Sequence, residues 1–469
     1  MFSYMKRGKA FYRNLALLTL PVVLQNLVTT SLAMVDTFMV GMLGETPLAA
    51  VTLANLPIFV IQLMVFGIQS GSAVLISQYW GKKDTDSINR VVGVAAFVAG
   101  GISVLFALTL FFFPTQVMGL LTNDNGLRDI AAQYGRIVGF SYIFNSLTGV
   151  YVGAHRSMEN PKLGLIVFSI SMCANTFLNW VFIFGSLGAP RLGVVGAALA
   201  TLISRVIEFA VMALYAGFNK RFRLRPGLVL RPGADIARKF LKYSTPVVLN
   251  ETLWGLGTSL YPTIMGHMAG STEILAAYAV AGNIDRFCTV AVMAVGATSA
   301  IIIGMEIGAG RSDQVYDVGK TLIVVSMGLG AAIGAVMLLA TYCVLQPFIY
   351  PIYPAFLNCP GAARITTIML TIAALFLPAR AFNTTSIVGV LRGAGDVRFA
   401  TAIDLLPLWV VALPLAALAG LAAKLDILWV YLAIEAENVS KFFLGVARFR
   451  SGNWIHDVTQ TSFQKERDK

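Results

Sequence analysis

Charge is what this sequence has least of. Asp, Glu, Lys and Arg make up 12% of its 469 residues, about half of the ~25% usual in soluble domains. Histidine is scarcer still: His155, His267 and His456 are too far apart to share a helical face, so no histidine-based metal site is expected. The four cysteines, Cys173, Cys288, Cys343 and Cys359, lack ligand or disulfide-framework spacing and are expected to be packing residues. No GxxxxGK[ST] stretch is present, which removes a P-loop nucleotide site. Any uphill work would have to draw on an ion gradient. Clustered His and acidic residues are also missing, and with them the usual equipment of a membrane-embedded enzyme.

What fills the chain instead is apolar. Hydrophobic residues are 57% of the total, with 30 Phe and 43 Gly, and the mean hydropathy is +0.75. A helix needs about 20 apolar residues to cross a bilayer. Runs of that kind centre on 15–43, 50–76, 91–113, 130–153, 163–185 and 194–217, then on 241–267, 274–304, 316–346, 364–390, 400–423 and 427–447. The expectation is an all-α polytopic membrane protein with twelve transmembrane helices. A stretch such as "VVGVAAFVAGGISVLFALTLFFF" has neither the length nor the alternation of a barrel strand. The basic start, "MFSYMKRGKAFYRN", runs into an apolar segment too long for a signal-peptide core. It reads as a retained first span.

The bases that exist are sorted by connector. The start of the chain, "WGKKD", "HRSMENPK", "NKRFRLRPGLVLRPGADIARKFLK", "GAGRSD" and "LRGAGDVR" are basic, whereas alternate connectors such as "GET" and "GSLGAPRLG" carry fewer. The net charge of +12 therefore reads as topology and not as affinity for nucleic acid. By the positive-inside rule both termini and the central connector lie in the cytoplasm, and the protein is expected in the cell (inner) membrane.

The chain also repeats itself. "LALLTLPVVLQN" (15–26) is answered by "ARKFLKYSTPVVLNE" (237–251), and Asp36–Gly41 aligns with Tyr261–Gly266 at the same offset. "GSAVLISQYWG" pairs with "TSAIIIGMEIG", and "HRSMENPK" with "LRGAGDVR". Four correspondences in one order argue for duplication. The predicted organisation is a six-helix lobe at 1–218, a basic cytoplasmic linker at 219–240, a second six-helix lobe at 241–450 and a cytoplasmic tail at 451–469. Paired repeats of this kind are a common architecture of alternating-access transporters.

Against this apolar background each ionisable group is a question. Asp36 is the only charged residue between Asn14 and Gly44. It lies about 33 Å along a helix from Asn14, at ~1.5 Å per residue. It is either a wetted helix end or an intramembrane cation or proton site. Asn175 and Asn179 share one face of the fifth span and can serve as interhelical hydrogen-bonding groups or as neutral oxygens beside Asp36. Thr201 adds a hydroxyl. In the second half, Glu251 and Asn250 stand early in the seventh span, where Glu251 is either hydrated at the inner interface or buried and proton-exchanging. Asn283, Asn383 and Asp404 are further candidates. Asp285 and Arg286 are adjacent and should pair elsewhere. Glu435 and Glu437 are expected to pair with basic tail or loop residues.

Taken together, "LPVVLQNLVTTSLAMVDTFMVGMLG", "GSAVLISQYWGKKD", "NPKLGLIVFSISMCANTFLNWVFIFG", "LGVVGAALATLISR" and "LRGAGDVR" resemble the multidrug and toxic compound extrusion (MATE) transporters over residues 10–450. The resemblance implies two six-helix bundles around a central cavity, exporting amphipathic, mostly cationic compounds by Na⁺ or H⁺ antiport. It implies cation coupling at Asp36, with Asn175, Asn179 and Thr201 completing an N-lobe site that would hold Na⁺. Asn179 stands where archaeal-type members carry Asp. It also implies a second-lobe coupling or substrate site at Glu251, with Asn250, Asn283 and Asn383. Ala381 or Asn383 occupies the place of the tenth-span Asp. No cofactor is expected beyond the coupling ion, and the partners are organic substrates and membrane lipids, with the chain working as a monomer. The rival within transport is a flippase for a lipid-linked precursor, which should hold Arg or Lys for phosphate inside its spans.

Overall fold

The computed structural model describes residues 7–352, 356 and 360–460; Cys359 and the end of the tail lie outside them. Twelve long helices run through the described residues. We label them α1 (Lys9–Gly41), α2 (Glu45–Gly81), α3 (Thr85–Phe112), α4 (Asn125–Ser157), α5 (Lys162–Phe184) and α6 (Val194–Phe218). The second set is α7 (Ala234–Gly266), α8 (Ser271–Gly308), α9 (Ser312–Ile349), α10 (Gly361–Leu391), α11 (Val397–Ala422) and α12 (Ile427–Arg450). Ten are long and apolar enough to cross a membrane. The other two, α7 and α12, have the length but carry more charge, including Asp235, Arg238, Lys239, Lys242 and Glu251 in α7 and Glu435, Glu437 and Lys441 in α12.

The few acids outside the spans often start helices. Asp84, Asp124 and Asp426 accept hydrogen bonds from the backbone N–H of Ser87, Leu127 and Leu428, at 3.0, 3.1 and 3.0 Å. Each satisfies a donor that the first helical turn leaves without an intrahelical partner. Large apolar side chains such as Phe38, Leu105 and Phe443 are exposed, as expected of helices whose outer faces meet lipid. Cys173 and Cys343 are exposed too, and Cys288 is half-buried. The expectation that these cysteines pack in the interior is corrected for the two exposed ones, whose outer faces need no protein partner in lipid.

Packing divides the chain into two units, one of them a single stretch of sequence and the other built from two. One comprises Leu20–Glu251. One of its cores joins Val40, Ala54, Leu110, Met118, Val138, Ile183 and Ala198. The first turns of α7 belong to this unit, where Gly67 and Gly71 of α2 admit them. A Cβ at Gly67 would stand 2.6 Å from Val248 Cα, and one at Gly71 2.6 Å from Ser244 Cα. Two small residues four apart allow this backbone approach, the packing device of membrane helices. The basic linker docks here as well: Arg225 pairs with Asp86 at 2.5 Å, and Arg221 stacks over Trp80.

The other unit comprises residues up to Thr19 and from Thr252 onward. Leu15 and Leu18 of α1 join Ile302, Leu322, Ile387, Phe449 and Trp454 in one core. A second core holds Met265, Ala277, Met369, Ala373 and Val430. The backbone of α10 widens to a π-helical register over Thr384–Leu391, a departure often found at functional sites.

Candidate functional site

The sequence places one unpaired carboxylate, Asp36, in the apolar run of α1, and the fold brings amides to it. Asn179 of α5 donates from Nδ2 to Asp36 Oδ1 at 2.5 Å. The same nitrogen donates to Asn175 Oδ1 at 3.1 Å, one helical turn away. Asn175 in turn donates to Ser204 Oγ of α6 at 3.4 Å, and Ser204 to the Thr201 carbonyl at 2.8 Å. The result is a polar thread from α1 through α5 to α6. Asp36 is half-buried, whereas Asn175 and Asn179 are 2% and 1% exposed.

Burying polar groups in an apolar bundle is costly unless their hydrogen bonds are made. One here is not: Asn179 Oδ1 is buried with no partner. Its orientation follows from its other end, because turning the amide over would set two acceptors against each other at Asp36. A carboxylate and an open amide oxygen on one residue pair suit a monovalent cation, which binds through oxygens. A proton on Asp36 would suit the same place. Among the described residues no cluster of three His, Cys, Asp or Glu exists, so the oxygens are those of one carboxylate and its neutral neighbours.

Thr201 is less directly placed. Its hydroxyl donates to the Ala197 carbonyl at 3.0 Å and lies beside the Tyr134 phenol. It reaches Asp36's surroundings through Ser204 and Tyr134. Three residues of this neighbourhood escaped sequence reasoning. Arg205 and Glu208 form an interior ion pair at 2.5 Å on one face of α6, and Asn145 donates to Glu208 at 3.3 Å. The signal was present, since opposite charges three apart in the apolar run "TLISRVIEFA" are placed to meet on a helix. Because Glu208 takes up the charge of Arg205, Asp36 is the carboxylate left over.

The second-half candidates are divided between the two packing units. Glu251 and Asn250 belong to the unit ending at Glu251, whereas Asn283 and Asn383 belong to the other. Asn283 is exposed. Asn383 is 4% exposed and donates to the Asn438 carbonyl at 2.9 Å and to Asn438 Oδ1 at 3.3 Å. Asp285 does pair elsewhere, with both its oxygens held by Arg380 at 2.8 and 2.7 Å. The expectation for Glu435 and Glu437 is corrected. They face the interior: Glu437 takes Lys441 Nζ at 2.6 Å and the Tyr261 hydroxyl at 2.9 Å. Glu435 takes Asn438 Nδ2 at 2.8 Å. Lys441 also holds Asp404 at 2.5 Å. Tyr261, the repeat counterpart of Asp36, thus serves a carboxylate on the last helix.

The MatE family model matches residues 21–181 and again 246–418. The chain belongs to the MatE family. The two matches begin at Pro21 and Pro246, the two prolines of the repeated "PVVL". Among curated relatives, an uncharacterized transporter of Bacillus subtilis, YisQ, is 25% identical over 443 residues, covering 93% of this chain and 94% of its own. A probable multidrug resistance protein of Thermotoga maritima, NorM, is 22% identical, covering 94% and 93%. Among solved structures, a eukaryotic MATE transporter superposes with a TM-score of 0.82 at 18% identity, over 94% of this chain and 96% of that one. The Vibrio cholerae MATE transporter VcmN gives 0.81 at 20%, over 95% and 98%. The MatE fold is therefore that of this chain: an all-α, multi-pass membrane transporter and not an enzyme.

Proposed function

We propose that this MatE protein is a secondary active exporter of amphipathic, mostly cationic organic compounds, exchanging them for Na⁺ or H⁺ at Asp36. The observation that carries the reading is the Asp36–Asn179 contact: a carboxylate without an ion pair, met by a buried amide whose oxygen is open. A carboxylate in this position alternates between a neutralised state with the coupling ion bound and a charged state without it, and the exchange changes the local hydrogen bonding of α1 against α5. Asp36 and Asn179 would hold the ion, with Asn175 orienting the Asn179 amide and Thr201 and Tyr134 bordering the site.

The relatives' names support the substrate class, since several are multidrug resistance proteins. The charge pattern of the connectors supports cytoplasmic termini. Nothing in the site requires a second copy, and the chain is read as a monomer. The flippase alternative called for bases inside the spans available to phosphate; Arg205, Arg380 and Lys441 are each engaged by carboxylates, which leaves the exposed Arg286 of α8 as its candidate.

Export of a fluorescent organic cation from proteoliposomes, driven by a Na⁺ gradient or a pH gradient applied separately, tests the proposal and names the ion. Wild type should respond to at least one gradient and D36N to neither. Gradient-driven export undiminished in folded D36N would overturn the assignment.

A further inference from the structure

The unit that lacks Asp36 contains a second carboxylate without an ion pair. Four carboxylates, Asp285, Asp404, Glu435 and Glu437, lie inside it near α8, α10, α11 and α12. Three are bonded to bases: Asp285 to Arg380, Glu437 and Asp404 to Lys441. Glu435, 4% exposed, is bonded instead to the side-chain amide of Asn438. Asn438 Oδ1 accepts from Asn383, and Asn383 Oδ1 is buried with no partner.

This trio has the same parts as the one at Asp36 with the amide–amide bond reversed: Asn179 donates to its second Asn, whereas Asn438 accepts from Asn383. In each, a carboxylate oxygen accepts from an Asn Nδ2, at 2.5 Å for Asp36 and 2.8 Å for Glu435. In each, that amide is bonded to a second Asn, at 3.1 and 3.3 Å. In each, one buried amide oxygen lacks a donor. The elements are unrelated by the repeat, because the carboxylate comes from α1 in one unit and from α12 in the other. The π-helical widening of α10 begins at Thr384, directly after Asn383.

We propose that Glu435, with Asn438 and Asn383, is a proton-exchange site of the second unit, distinct from Asp36. A buried charged carboxylate without a counter-ion is costly, and a proton removes that charge. It also supplies a donor to a cluster whose open position is an acceptor. A metal cation fits less well. At Asp36 the open oxygen belongs to the amide that meets the carboxylate, whereas at Glu435 that amide's oxygen is taken and the open one lies on Asn383, which bonds to Asn438. The surrounding charges complete the case. Arg380 of α10 faces Glu435 but is held in both directions by Asp285 of α8. Glu437, Lys441 and Tyr431 share α12 with it, Asp404 of α11 is held by Lys441, and Tyr261 of α7 and Tyr278 of α8 stand beyond. Proton exchange at Glu435 requires no break in any of these ion pairs. Its use in export rests on the antiport reading above; its existence does not.

Difference infrared titration of the purified full-length protein in nanodiscs, from alkaline to mildly acidic pH, tests the site without transport. Wild type and D36N should show a carboxylic C=O band that E435Q loses, and N383A should shift that band, because the open acceptor is gone. Thermal unfolding verifies that each variant is folded; should E435Q fail to fold, the N383A shift decides in its place. A spectrum of E435Q identical to wild type, or no shift in N383A, would overturn the proposal. The companion measurement is pH-gradient-driven export by wild type and E435Q. If wild type shows the Glu435 band but no export under either a pH or a Na⁺ gradient, the site stands and the antiport reading falls.

Discussion

One nitrogen of Asn179 serves two acceptors, Asp36 Oδ1 at 2.5 Å and Asn175 Oδ1 at 3.1 Å, while the oxygen of the same amide serves none. The position of Asn179 thus sets how many negative charges the site holds.

Replacing that amide by a carboxylate should strengthen cation binding. N179D is expected to tighten Na⁺ binding by about ten-fold, or ~1.4 kcal/mol, read as Na⁺-dependent protection against thermal unfolding. N179L should abolish the protection. Equal protection in wild type, N179D and N179L would show that Na⁺ does not bind here.

The pair Arg205–Glu208 offers a test of interior electrostatics. Removing one partner of a buried ion pair commonly costs ~3–5 kcal/mol, whereas removing both costs far less. R205M should therefore lower the unfolding midpoint more than the double variant R205M/E208Q. The reverse order would mean that Glu208 keeps its place through Asn145 alone.

Lys441 bridges two carboxylates, so its loss should be felt twice. K441M is expected to destabilise the protein by about 3 kcal/mol or more, with D404N and E437Q together restoring most of the loss. Thermal unfolding of K441M and of the combined variant decides it, and no recovery in the combined variant counts against the bridge.

Glycine in α2 and α3 gives a paired experiment. G71A places a Cβ 2.6 Å from Ser244 Cα, an overpacking worth ~1–3 kcal/mol. At Gly101 nothing lies within 4 Å of the added carbon, and alanine there should stabilise α3 by about 0.5–1 kcal/mol through lower backbone entropy. Opposite shifts of the unfolding midpoint are the expected result.

Sequence carried the fold well because lipid leaves few options. Every spanning segment must satisfy its own backbone, so length and hydropathy located the helices. Asp36, Asn175 and Asn179 were legible for a related reason: polar groups stand out in apolar runs, and spacing put the two amides on one face. The pairing of Glu435 and Glu437 was not legible. Charges near the end of a chain look like interface residues until the packing shows Tyr261, Asn438 and Lys441 waiting inside. Nor could spacing reveal that Asn383 and Glu251 belong to different packing units.

The placement of Leu15 and Leu18 has a consequence for biosynthesis. Their core is completed by Phe449 and Trp454, so the opening turns of the first helix find their final neighbours only when almost the whole chain has been made. Domains usually fold as units while the ribosome is still at work, the earliest first. Here α1 is made long before the residues it docks against, and until they follow it depends on lipid, or on an insertion factor, to cover a face meant for α12 and the residues just after it.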